Sequence, residues 1–114
     1  MSKFIIILTL VLYSLTSDAL VILQYHHIDR STPASTSTSP ERFYEHLQLI
    51  EELKYQVLSL EQVQQYIKSQ NELPDKSVLI TFDDGYSSIF THAYPALKQK
   101  SWPFVIFVNT QPID

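Results

Sequence analysis

The chain has 114 residues, 45% of them hydrophobic and 18% charged, with a formal net charge of −4. This is the composition of a single small globular domain, not of a disordered chain. The acidic balance argues against a nucleic-acid partner, which needs a basic face. The absence of cysteine excludes disulfides, thiolate metal sites and cysteine catalysis.

The first stretch reads as a signal peptide over residues 1–19. Lys3 supplies a positive start, Phe4 to Leu15 an apolar run, and Ser17-Asp18-Ala19 a small-residue ending suited to cleavage after Ala19. The run falls short of the about 20 residues that cross a bilayer. A buried first strand or an uncleaved anchor is the other reading. The secretory reading implies export to the periplasm or the medium, no stable membrane span once the leader is removed, and a domain over residues 20–114.

Leu20 to Tyr25 (LVILQY) is an apolar run that predicts a buried strand. His26 to Ser39 contains STPASTSTS, without periodicity, and reads as a solvated loop or a glycosylated linker. Ser39-Pro40 predicts a helix start, and Phe43, Leu47, Ile50 and Leu53 follow as one apolar stripe. Tyr55 to Leu58 is a short strand candidate. Ser59 with Gln62 is a capping-box pattern, opening a second helix through Leu60, Val63 and Ile67. Asn71 to Lys76, with Pro74, breaks the chain. Ser77 to Phe82 (SVLITF) is the best strand pattern. Ser87 to Lys100 is helical, with Pro95 set to kink it, and Phe104 to Val108 is a further strand. Apolar strands alternating with helices predict an α/β fold, its parallel sheet covered on both faces.

The chemistry gathers at the end of the best strand. Asp83 and Asp84 stand where parallel α/β folds place working residues. Gly85, the only glycine of the chain, follows them and would allow positive φ or close backbone approach. With so little glycine, the remaining turns would rest on Pro, Asn, Asp and Ser. Adjacent carboxylates repel, and a divalent cation resolves the conflict: one acid can hold the ion while the other works as a base. A plain Asp-Asp-Gly turn uses the same residues.

Thr81 to Gly85 (TFDDG), followed by Tyr86, resembles the first motif of the polysaccharide deacetylases, the NodB homology family of carbohydrate esterase family 4. Tyr25-His26-His27-Ile28 resembles the YHxI segment of the subgroup that deacetylates poly-N-acetylglucosamine. Ala93 to Leu97 (AYPAL) and Phe104 to Asn109 resemble the helix and strand that follow the first motif. The resemblance implies the N-terminal half of a distorted (β/α) barrel and a metal-dependent hydrolase that removes N-acetyl groups from an N-acetylglucosamine polysaccharide. It assigns Asp83 as general base, Asp84 as ligand of a divalent metal (zinc or similar), and His26 to substrate binding. A polar loop histidine is the alternative for His26.

The family's second motif, His-Ser/Thr-x-x-His, and its later motifs do not occur in the sequence. The expectation is therefore a truncated domain, inactive as it stands, whose last strand leaves an open apolar edge. His26 and His27, being adjacent, would point apart and make a poor chelating pair. His46 and His92 read as structural, and Tyr25, Tyr86, Tyr94 and Trp102 receive no role. The alternative is an exported carbohydrate-binding or interaction module without catalysis. A phosphoryl-transfer domain ranks last, since one glycine cannot build a phosphate-cradling loop.

Overall fold

The computed structural model describes residues 20–111. The leader expected over residues 1–19 lies outside them. Around the central strand β5 (Ser77–Asp83) run three parallel partners. β1 (Val21–Tyr25) lies along one edge, from Val21 opposite Val78 to Tyr25 opposite Phe82. The other edge is shared. β4 (Gln56–Val57) pairs with its first two residues, and β6 (Val105–Phe107) pairs with Thr81, Phe82 and Asp83.

The helices begin where their caps predict. In α1 (Pro40–Glu52), Ser39 Oγ accepts a hydrogen bond from the Arg42 N–H, and Pro40 takes the first position, where no donor is needed. In α2 (Leu60–Ser69), the capping box is complete. The Gln62 N–H donates to Ser59 Oγ at 3.1 Å, and the Ser59 N–H donates to Gln62 Oε1 at 2.8 Å. The third helical stretch opens with a wide π-type turn at Ile89–Ala93, in which the Tyr94 N–H reaches back to the Ile89 carbonyl. Pro95 has no N–H and its ring crowds the carbonyl four residues earlier, so the chain widens by one residue before α3 (Tyr94–Lys100) continues.

Alternation along β5 divides the core. Val78, Ile80 and Phe82 face one side, against Tyr25, Phe43, Leu47, Ile89, Ala93 and Leu97, while Leu79 faces the other with Leu58 and Val63. Burying side chains of this size stabilises by roughly 1.5–3 kcal/mol each. Among the described residues, β5 is thus the one strand with both faces covered, and its carboxyl end is held at a fixed place.

The structure departs from the sequence reading in four places. β1 is buried only at its carboxyl end, at Tyr25: Val21 and Ile22 are 39% and 59% exposed, because β1 is an edge strand among the described residues. The apolar stripes fade at the helix ends, so Leu53 and Ile67 are exposed. The loop after β1 contains order. β2 (His27–Ile28) pairs in parallel with β3 (Ser37–Thr38), with a single 3₁₀ turn at Ala34–Thr36 between them. Finally, the left-handed positions forced by the shortage of glycine go to Lys54, Gln70, Lys76, Asp84 and Ser101. Lys and Gln take three of these five, where Asn, Asp and Ser were expected. The open apolar edge is present as β6 and the residue after it, with Ile106, Phe107 and Val108 41%, 52% and 69% exposed.

Candidate active site

The site is built by the register between β1 and β5. Gln24 lies opposite Thr81, and Asp83, two residues further along, presents its side chain on the same face of β5. Gln24 Nε2 donates to Asp83 Oδ2 at 2.5 Å. His26 Nε2 approaches the same oxygen at 3.4 Å, longer than a tight hydrogen bond. Thr81 Oγ1 donates to the Leu23 carbonyl at 2.8 Å and ties the two strands directly below. Asp83 is partly buried, with 24% of its side chain exposed.

Asp84 is placed differently. It leaves the strand, its φ is +70°, and its side chain is exposed. Its N–H donates to the Phe107 carbonyl at 2.8 Å, so the turn is anchored to β6. Gly85 follows with φ +71°, the positive value its identity suggested. Two consecutive left-handed residues reverse the chain within one step. A left-handed non-glycine residue costs roughly 1–2 kcal/mol, and such outliers collect at functional sites.

Tyr86 hydrogen-bonds Asp84. Its hydroxyl is held above its usual pKa by local desolvation first, then by the negative charge and hydrogen bond of Asp84. The Tyr86 ring stacks on His27, with centroids 3.5 Å apart. His26 and His27 therefore serve different partners, one Asp83 and the other Tyr86, as adjacency predicted. Beside the Asp84–Gly85 turn lies an apolar cleft of about 170 Å³ lined by Tyr86, Phe90, Tyr94, Phe104 and Ile106. No pattern in the sequence pointed to this cleft, because its walls come from separate segments: the loop after β5, the π-type turn, α3, and β6 with the residue before it.

The other histidines lie elsewhere in the fold. His46 Nδ1 is 2.8 Å from the Tyr25 hydroxyl and its ring stacks on that tyrosine. His92 lies in the π-type turn, where its carbonyl accepts from the Tyr44 hydroxyl. Asp83, Asp84 and His26 thus stand together at the carboxyl end of the sheet, and His46 and His92 do not join them. Gln24 was missed. Its residue type carries no catalytic signal, and only the strand register reveals its position.

Known proteins resemble this chain in sequence and fold. A family profile described as polysaccharide deacetylase matches residues 70–114. The poly-beta-1,6-N-acetyl-D-glucosamine N-deacetylase of Escherichia coli K12 is 32% identical over 94 residues, covering 77% of this chain and 13% of that protein. Among solved structures, IcaB from Ammonifex degensii superposes with a TM-score of 0.74 at 33% identity, over 82% of this chain and 39% of that one. The Streptococcus pyogenes deacetylase PplD, solved with acetate, gives 0.68 at 30% identity, over 78% of this chain and 42% of that one. The chain belongs to the polysaccharide deacetylase family, the NodB homology group. Within it, the likeness is to the poly-N-acetylglucosamine deacetylases, and the residues present form part of their (β/α)-barrel domain.

Proposed function

We propose that this chain supplies the first part of a catalytic domain that removes N-acetyl groups from an N-acetylglucosamine-containing polysaccharide. The single observation that carries the reading is the Asp83–Asp84 pair, in which one carboxylate is held by neighbours and the other projects into solvent. Hydrolysis adds water to the acetamide carbon, breaks the C–N bond, and releases acetate and a free amine. Asp83, within reach of Gln24 and His26, takes the proton from the attacking water. His26 faces the substrate side.

Asp84 fits one position of a divalent metal site. A bound ion would polarise the amide carbonyl and make water more acidic. The described residues contain no cluster of three His, Asp or Glu side chains around one point, and a catalytic zinc takes three protein ligands. The donor set therefore fits a metal in part, and the remaining ligands would come from chain beyond the described residues. The chain spans 13% of the E. coli relative and about two fifths of the solved deacetylases named above. On this reading the 114 residues alone release no acetate.

Export fits the leader pattern at residues 1–19. No helix of the described residues is long and apolar enough to cross a membrane.

The test is acetate release from poly-N-acetylglucosamine by the complete protein that carries this sequence, with and without a chelator. Release that stops on chelation and returns with zinc is expected, alongside silence from the isolated 114 residues. Carbohydrate binding that persists in chelator, with no acetate formed, would replace catalysis by a binding role.

A further inference from the structure

Asp83 and Asp84 have the same chemistry, and only one of them is fixed by a side chain of β1. Gln24 sits in mid-strand on β1 with its side chain exposed, so it does not serve the core. Its amide nitrogen bonds Asp83 Oδ2, and that same oxygen faces His26 Nε2. Both contacts fall on Oδ2. Among the described residues, no protein donor reaches Oδ1. A glutamine amide donates here without adding charge, so it orients the carboxylate without neutralising it as a lysine or arginine would.

We infer that Gln24 is a positioning residue for the Asp83 carboxylate: it pins Oδ2 to β1 and leaves Oδ1 as the oxygen that receives the proton. The inference rests on the deacetylase reading, in which Asp83 is the base. Register makes the arrangement. Gln24 is set opposite Thr81 by the β1–β5 ladder, the ladder is locked beneath by the Thr81–Leu23 hydrogen bond, and the Gln24 side chain reaches Asp83 one step further along the same face. A base turned away from its water loses rate while substrate still binds, so the effect belongs in kcat rather than KM.

The experiment has two arms on the complete protein. In the first, the side-chain amide protons of Gln24 are followed by NMR in isotope-labelled protein, with Asp83→Ala as the comparison. One proton shifted downfield in the wild type, and the shift lost in the variant, is expected. An unchanged amide pair overturns the contact, whether or not the protein is active. In the second arm, Gln24→Met keeps the length and removes the donor, while Gln24→Asn keeps an uncharged amide donor on a shorter arm. The Met variant should lose roughly ten- to a hundredfold in kcat with KM nearly unchanged, and the Asn variant should retain part of the lost rate. A role in packing alone would leave the Met variant active. Wild-type activity with a Met variant within about twofold in kcat overturns the positioning role and leaves the deacetylase reading intact. A wild type without acetate release overturns both. Because residue 24 is exposed, both substitutions should fold, and thermal unfolding of each variant verifies it.

Discussion

The two ends of β5 are made of one continuous strand and behave as different materials. At the amino end, Ser77 and Val78 are 1% exposed, flanked by β1 on one side and β4 on the other. A complete capping box starts the helix that covers this end. At the carboxyl end, Asp83 is only partly buried, Asp84 is exposed, and two successive residues hold positive φ. The amino end gathers burial and satisfied hydrogen bonds, and the carboxyl end spends stability on geometry. The exposed acid and two successive left-handed residues stand at the carboxyl end, while the amino end carries a single left-handed residue, Lys76, just before the strand begins, and the buried strand between the two ends holds the Asp84–Gly85 turn in place.

The largest expected effect is on activity at the strained end. In the complete protein, Asp83→Asn should lower kcat by about 10²–10⁴-fold, the usual worth of a general base. Asp84→Asn should be at least as severe through lost metal, measured as acetate release alongside metal content. Neither should move unfolding stability by more than about 0.5 kcal/mol, because neither side chain belongs to the core. Asparagine also accepts the left-handed conformation that residue 84 adopts, so the turn survives. If both variants keep full activity, the carboxyl end is no more functional than the amino end and the contrast fails.

Next in size is the turn itself. Gly85→Ala should destabilise by about 1–2 kcal/mol in denaturant titration. Crowding is not the cause. An added Cβ would lie 3.6 Å from Val108 Cγ1 and 3.9 Å from Ile106 Cγ2, ordinary contact distances. The cost is conformational, from φ +71°. An alanine variant as stable as the wild type would show that the chain can turn here without a left-handed residue.

Much of this contrast was legible in the sequence, and the reasons differ by residue. Ser39 and Ser59 announced their helices because capping is a local interaction, complete within four residues. Val78 to Phe82 announced a central strand because both faces are apolar. Gly85 announced the turn after the strand because a lone glycine at the end of an apolar run marks a backbone position with positive φ. The exposure of Val21 and Ile22 was not legible, since an edge strand and a central strand share the same apolar run. The left-handed φ of Asp84 was hidden behind Gly85, which alone would have sufficed for the turn. The widened turn at Ile89–Ala93 could be foreseen only as a disturbance near Pro95. The contact between Gln24 and Asp83 spans 59 positions and depends on strand register, which no local pattern fixes.

The smallest effect concerns the body of the strand, where the two ends meet. Tyr25 lies opposite Phe82, packs against Phe43, and hydrogen-bonds His46 through its hydroxyl at 2.8 Å. Burial disfavours the phenolate and raises its pKa from 10.0 to about 12. In the unfolded chain the hydroxyl ionises near its ordinary value, about 10. The folded state therefore keeps a proton that the unfolded state loses. Stability from this residue is fully present below pH 10 and is lost as pH climbs from 10 toward 12. At neutral pH, Tyr25→Phe should cost about 0.5–1.5 kcal/mol for the hydrogen bond to His46. The gap between wild type and variant should then close across the alkaline window, with the other tyrosines cancelling in the difference. Unfolding free energies measured for both proteins from neutrality to pH 12 test this. A gap that stays constant would mean that the Tyr25 hydroxyl is reached by water, and that the strand between the two ends of β5 is less sealed than the core around Phe82 requires.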